Sequence, residues 1–155
     1  MPAGTAPGVT DEGRVLWESG AIMEYILQTH GSGRLMVAPG APNYADYLFW
    51  FHFANGSLMP DLMFRVILRR SGGSDDDPIV CGLVERAPRA FALVEKRLGE
   101  VPFLAGGALT AAEIINFFPL AKMQAWTGIE LPEFPNLGAY LARIRDRPGF
   151  QRAPT

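Results

Sequence analysis

The feature that most constrains the fold is the apolar segment that begins at Tyr44. Aromatic and aliphatic side chains occupy nearly every side of a helix drawn from Tyr44 to Phe53. A helix that is apolar all round is usually buried on more than one face. The pattern predicts one long helix over 43–70, kinked at Pro60 because proline lacks a backbone donor and clashes with the preceding turn. A chain organised around such a helix is expected to be mostly α-helical.

Helical spacing of apolar residues recurs along most of the remaining chain. Ser19 is a favoured N-cap residue and predicts a helix that ends before Gly31. Further helices are predicted over about 80–98, 110–126 and 135–147. A bend is expected at Pro88 in the first of these, and an interruption at Pro119 in the second. Glycine and proline between 31 and 42, and the polar run over 71–78, predict a linker and an exposed loop.

The one convincing strand signal is a hairpin near the N-terminus. Gly8-Val9-Thr10 and Arg14-Val15-Leu16 are short extended pieces, and Asp11-Glu12-Gly13 between them is a turn signal. A lone hairpin is marginally stable in water. We therefore expect it to pack against a helix or a further strand.

Composition excludes several classes of protein. With 155 residues that are 48% hydrophobic, the chain suits one ordinary domain, or one and a fragment, and not a disordered segment. The net charge of -2 and the absence of a long basic run make a nucleic-acid partner unexpected. A single cysteine and two distant histidines predict no metal site. We expect no membrane span and no signal peptide, and therefore a cytoplasmic protein.

Two short motifs carry specific chemistry. Leu109-Thr110-Ala111-Ala112-Glu113-Ile114 predicts a structural capping box in which Thr110 and Glu113 bond reciprocally. Glu18 and Ser19 join the hairpin to the first helix. The Ser19 hydroxyl and the free amides of a helix start suit a carboxylate, and Glu18 suits an ammonium group. The alternative is that Ser19 is only an N-cap and Glu18 only a first-turn acid.

Several segments, taken in order, resemble the glutathione transferase family. Ala6–Val9 with the following turn resembles the third strand of its thioredoxin-like domain, and Glu18–Ile22 resembles its acid-serine motif. The capping box and the segment from Pro132 to Phe150 resemble parts of its helical domain. The segment from Tyr44 to Pro60 is most similar to a subgroup found in fungi and bacteria.

The resemblance implies a fold and a binding site. Residues 1–31 would be part of a thioredoxin-like, glutathione-binding domain, and residues 43–155 a helical C-terminal domain. Pro7 would be the family's cis-proline. Glu18 and Ser19 would anchor the γ-glutamyl group of glutathione, and the backbone of Ala6 would pair with its cysteinyl part.

The resemblance also implies an activity and partners. The family conjugates glutathione, as a cosubstrate, to apolar electrophiles in detoxification and usually forms homodimers. Tyr47, Phe51 and Met123 are candidates for the electrophile pocket, with core packing as the alternative for each. The chain begins at the family's third strand, so we expect an N-terminally truncated member and assign no catalytic residue. The alternative function is a non-catalytic interaction or dimerisation module.

Overall fold

The computed structural model of the protein describes residues 6–72 and 77–153. Within that part, a two-stranded hairpin precedes nine α-helices. The elements are β1 Gly8–Asp11, β2 Arg14–Trp17, α1 Ser19–Thr29, α2 Tyr44–Phe53, α3 Met59–Ser71, α4 Pro78–Val84, α5 Arg86–Glu100, α6 Ala111–Phe118, α7 Gln124–Thr127, α8 Pro135–Arg145 and α9 Pro148–Gln151. The mostly α-helical prediction is confirmed. The loop predicted over 71–78 lies partly outside the described residues.

The predicted hairpin is confirmed. β1 and β2 pair antiparallel, with Gly8 opposite Trp17 and Asp11 opposite Arg14. The two turn residues have positive φ, 46° at Glu12 and 80° at Gly13. Positive φ at both positions gives a turn whose twist matches that of the strands, and Gly13 adopts it without steric cost.

The hairpin packs against α1, in agreement with the expectation that it needs a helix or a further strand as a neighbour. Asp11 Oδ2 accepts a hydrogen bond of 2.9 Å from the Tyr25 hydroxyl and lies 2.9 Å from His30 Nε2. The hydrogen bonds from His30 and Tyr25 hold the pKa of Asp11 below its ordinary value. These contacts tie the tip of the hairpin to the second half of α1.

The long helix predicted over 43–70 is present in three parts. α2 passes into a π-helical segment, Ala54–Leu58, and then into α3, which begins one residue before Pro60. Pro60 has no N–H to offer to the preceding turn. The wider turn of the π-helical segment therefore lies where the proline interrupts the α-helical hydrogen bonds.

The prediction of a single helix over about 80–98 is wrong, because this segment divides at Glu85 into α4 and α5. Pro88 in the first turn of α5 cannot donate to the carbonyl of Val84, four residues earlier. The Arg65 guanidinium on α3 donates to that carbonyl instead, at 2.9 Å.

Pro119 has a similar effect on the predicted helix over 110–126. α6 ends at Phe118, a π-helical segment covers Pro119–Met123, and α7 follows. At the other end of α6 the capping box of Thr110 and Glu113 is confirmed. The fully buried Glu113 carboxylate accepts hydrogen bonds from Thr110 N at 2.5 Å, Thr110 Oγ1 at 2.7 Å and Ala105 N at 3.1 Å.

The hydrophobic core lies between α2, α5, α6 and α8. Its largest fully buried apolar side chains are Tyr47, Phe51, Leu58, Leu62, Phe91, Leu104, Leu120, Met123, Leu137, Tyr140 and Leu141. α8 begins at Pro135 as predicted and ends at Arg145, and α9 after it was not predicted. In the described part of the chain no helix has the length and apolar character needed to cross a membrane.

Candidate functional site

The four residues predicted to bind glutathione line one cleft. Ala6, Pro7, Glu18 and Ser19 form one side of it, in a volume of about 390 Å³. The other side consists of four residues from the π-helical segment and α3: Asn55, Met59, Pro60 and Met63. This size is within the usual range for a small-molecule site.

The hairpin register explains why two distant pieces of sequence meet here. Gly8 pairs with Trp17, so the residues just before β1 and just after β2 lie at the same end of the hairpin. Ala6 and Pro7 precede that pair, and Glu18 and Ser19 follow it. The Ala6–Pro7 peptide bond is cis, as the resemblance implied.

Glu18 has an unusual backbone conformation. Its φ is 71° and its ψ is 116°, outside the regions that residues with a side chain normally occupy. Such a conformation typically costs about 1–3 kcal/mol and is found most often at binding and catalytic sites. Glu18 lies in the connection between β2 and α1, and its side chain is exposed to solvent.

The prediction that Ser19 is an N-cap is wrong. α1 begins at Ser19 itself, the N-cap position is Glu18, and the start of the helix has no side-chain cap. The Ser19 hydroxyl oxygen instead accepts a hydrogen bond of 2.9 Å from Asn55 Nδ2. The uncapped amides of the first turn and the Ser19 hydroxyl therefore both lie where an anionic group can bind at the helix start.

The rest of the cleft is apolar. Met63 is 44% exposed, and Met59 and Pro60 are half-buried beside it. Methionine side chains are flexible and polarisable, so they adapt to apolar ligands of different shapes. The cleft thus combines a polar end at Glu18 and Ser19 with an apolar end on α3.

The three candidates for an electrophile pocket lie elsewhere. Tyr47, Phe51 and Met123 are at most 2% exposed in the hydrophobic core, and none of them lines this cleft. The Phe51 ring packs close to the first turn of α1, since a Cβ on Gly20 would lie 3.7 Å from it. Tyr47 borders a separate cleft of about 750 Å³ between α1, the linker and α2. Burial, and then the nearby Glu24 carboxylate, raise the pKa of Tyr47.

Asn55 is the polar residue of the cleft that the sequence reasoning missed, beside the apolar Met59, Pro60 and Met63. It contacts Ser19 across 36 positions of sequence, and no local spacing signals that contact. The only available signal was its place in the segment from Tyr44 to Pro60 that resembles the family. Among the described residues, no group of three or more His, Cys, Asp or Glu side chains is arranged to hold a metal ion.

Comparison with known proteins agrees with this architecture. The sequence model of the glutathione S-transferase C-terminal domain matches residues 58–148, and that of the N-terminal domain matches residues 1–28. Glutathione S-transferase D7 of Drosophila melanogaster is 26% identical, over 97% of this chain and 66% of the relative. Glutathione S-transferase 3 of Zea mays is 27% identical, over 97% of this chain and 71% of the relative.

Solved structures show the same fold. A glutathione S-transferase from Actinobacillus pleuropneumoniae superposes with a TM-score of 0.85 at 23% identity, covering 98% of this chain and 68% of that one. A sphingomonad glutathione S-transferase complexed with glutathione gives 0.76 at 24% identity, covering 97% and 72%. The chain thus spans about two-thirds of the length of these proteins. Because the C-terminal domain model alone matches more than half of the sequence, the chain belongs to the glutathione S-transferase family.

Proposed function

We propose that the cleft binds the γ-glutamyl end of glutathione. The Glu18 carboxylate pairs with the ammonium group of the ligand. The Ser19 hydroxyl and the first amides of α1 bind its α-carboxylate, because helix starts favour anions. The observation that supports this proposal most is the convergence of Ala6, Pro7, Glu18 and Ser19 on one cleft.

The rest of glutathione would extend along Ala6 and Pro7, the two residues that precede β1. The backbone of Ala6 offers a donor and an acceptor to the cysteinyl part of the peptide, as one strand does to another. From there the thiol would lie toward the apolar end of the cleft. We propose Met59 and Met63 as contacts of the electrophile, in place of Tyr47, Phe51 and Met123, which are buried in the core.

The proposed reaction is conjugation of glutathione to an apolar electrophile. The glutathione thiol loses its proton to solvent, its sulfur forms a bond to the electrophilic carbon, and the leaving group departs with the electron pair of the broken bond. Thiolate, not thiol, is the attacking species. The reducing cytosol is the proposed location, because it keeps the thiol reduced.

A homodimer is proposed from the outer face of α2. Phe49 is 51% exposed and stacks on Phe53, and with His52 and Gly56 these residues border a shallow apolar groove. An exposed aromatic side chain beside an apolar groove is typical of a partner surface. The same observation favours the second candidate function, a non-catalytic interaction module.

The proposed homodimer is tested by light scattering, which should give twice the mass of one chain. Phe49→Ser should shift the protein toward the monomer.

Two measurements on the full chain test the proposed function. Calorimetric titration should show binding of S-hexylglutathione, and Glu18→Gln or Ser19→Ala should weaken it about tenfold, since each removes one charge-assisted contact. Glu100→Gln, an exposed position at the end of α5, is the matched control and should bind as the wild type does. Absence of binding would refute the proposal.

Turnover separates the two candidate functions. 1-Chloro-2,4-dinitrobenzene with glutathione should release chloride and form the thioether faster with the protein than without it. Binding without turnover would refute conjugation by this chain and leave the interaction module as the function.

A further inference from the structure

The π-helical segment Ala54–Leu58 brings one polar side chain to the cleft. Asn55 Nδ2 donates a hydrogen bond of 2.9 Å to Ser19 Oγ, and both residues line the cleft with Glu18. Both partners are half-buried, so water competes for this bond less than it would at the surface.

The position of Asn55 is fixed by the packing around it. Five residues before Asn55, in α2, the carbonyl of Trp50 accepts a hydrogen bond of 2.6 Å from Asn116 Nδ2 on α6. Asn116 is fully buried and also donates to Ala112 O at 2.8 Å. On the other side of Asn55, Leu58 is fully buried in the core. The turn that carries Asn55 is therefore held at both ends.

The direction of the Asn55 hydrogen bond determines what Ser19 can offer a ligand. A serine hydroxyl has one proton and two acceptor lone pairs. The Asn55 amide occupies a lone pair, which leaves the Ser19 proton free to be donated into the cleft. A hydroxyl that accepts one hydrogen bond is also a better donor in the next. The helix start adds further donors on the same side, so the arrangement suits an anion.

We infer that Asn55 is a positioning residue that makes the Ser19 hydroxyl a donor to the α-carboxylate of a γ-glutamyl ligand. This inference rests on the proposed function. An aspartate at position 55 would have the opposite effect. Its carboxylate would accept a hydrogen bond from the Ser19 hydroxyl and would repel the carboxylate of the ligand, although its shape is nearly that of asparagine.

The test compares two ligands that differ by one group. S-hexylglutathione carries the α-carboxylate, and S-hexyl-(4-aminobutyryl)-cysteinylglycine is the same peptide without it. Asn55→Asp should weaken binding of the first at least tenfold and change binding of the second less than twofold. Asn55→Ala should weaken binding of the first several-fold. Asn136→Asp, which makes the same charge change at the start of α8, should alter neither.

Ser19→Ala provides a second measurement if Asn55→Asp does not fold. In the Ser19→Ala background, Asn55→Ala should have no further effect on the binding of S-hexylglutathione, because the hydroxyl that it positions is gone. Equal additional weakening in both backgrounds would overturn the inference.

The outcomes separate this inference from the proposed function. If the wild type binds S-hexylglutathione and the Asn55 variants bind it equally well, the positioning role is refuted and glutathione binding stands. If Asn55→Asp weakens both ligands equally, Asn55 is only structural and the inference fails. If the wild type binds neither ligand, both the inference and the proposed function are overturned.

Discussion

The Arg65 guanidinium donates a hydrogen bond of 2.9 Å to the Val84 carbonyl. Pro88 cannot donate to this carbonyl, because proline has no backbone N–H. A second nitrogen of the Arg65 side chain donates at 2.9 Å to the carbonyl of Thr127. Arg65 thus connects α3 to the break between α4 and α5 and to the end of α7.

Arg65→Met should lower the free energy of unfolding by about 2 kcal/mol, because it leaves the Val84 carbonyl without its donor. In a Pro88→Ala background the loss should be smaller, since residue 88 regains an N–H that can bond to Val84. Urea unfolding of the four proteins measures both values. An equal loss in the two backgrounds would contradict this account. Arg89→Met, an exposed arginine on α5, is the control and should change stability by less than about 0.5 kcal/mol.

The capping box should contribute more to stability than an ordinary surface cap. Glu113→Ala leaves three donors around a fully buried position unpaired and should cost about 3 kcal/mol or more. Thr110→Ala should cost about 1–2 kcal/mol. Thr110→Ser keeps the hydroxyl and is the matched control. Denaturant unfolding tests the order, and a loss below about 1 kcal/mol for Glu113→Ala would refute it.

Acid should weaken the attachment of the hairpin to α1. The pKa of Asp11 is held below its ordinary value of 3.8 by the hydrogen bonds from His30 and Tyr25. A folded-state pKa below the unfolded one stabilises the protein above the unfolded pKa, and this contribution is lost as the pH falls through the folded pKa. Wild type should therefore melt at a higher temperature than Asp11→Asn at pH 6. The difference should shrink as the pH falls below 3.8. A difference independent of pH would contradict the assignment.

Two glycines with similar backbone angles should respond differently to alanine. Gly72 and Gly128 have φ of 66° and 73°. A Cβ on Gly72 would meet no atom of the described residues within 4 Å, whereas on Gly128 it would lie 1.9 Å from Arg69 Nη1, which donates to Thr127 O. Gly72→Ala should cost about 1 kcal/mol for the left-handed conformation alone. Gly128→Ala should cost about 1 kcal/mol more, because it displaces Arg69. Equal losses in thermal unfolding would show that Arg69 moves freely.

Local chemistry made a large part of the fold predictable from the sequence. The hairpin follows from a two-residue turn with glycine, and the capping box from residues three positions apart. The interruptions near Pro60 and Pro119 follow from the missing proline donor. At Pro88 the sequence predicts a bend, whereas the helix divides at Glu85 into α4 and α5.

The sequence by itself determined the hairpin, the capping box and most of the helices, and its resemblance to the family pointed to Glu18 and Ser19 as polar residues of one site. Only the tertiary structure decided that Ser19 bonds to Asn55 instead of capping α1, and that Met59 and Met63 face Glu18 across the cleft. It also decided that Tyr47, Phe51 and Met123 are core residues. The physical reason is that caps and turns form between neighbours in sequence, whereas these contacts exist only after packing brings distant helices together.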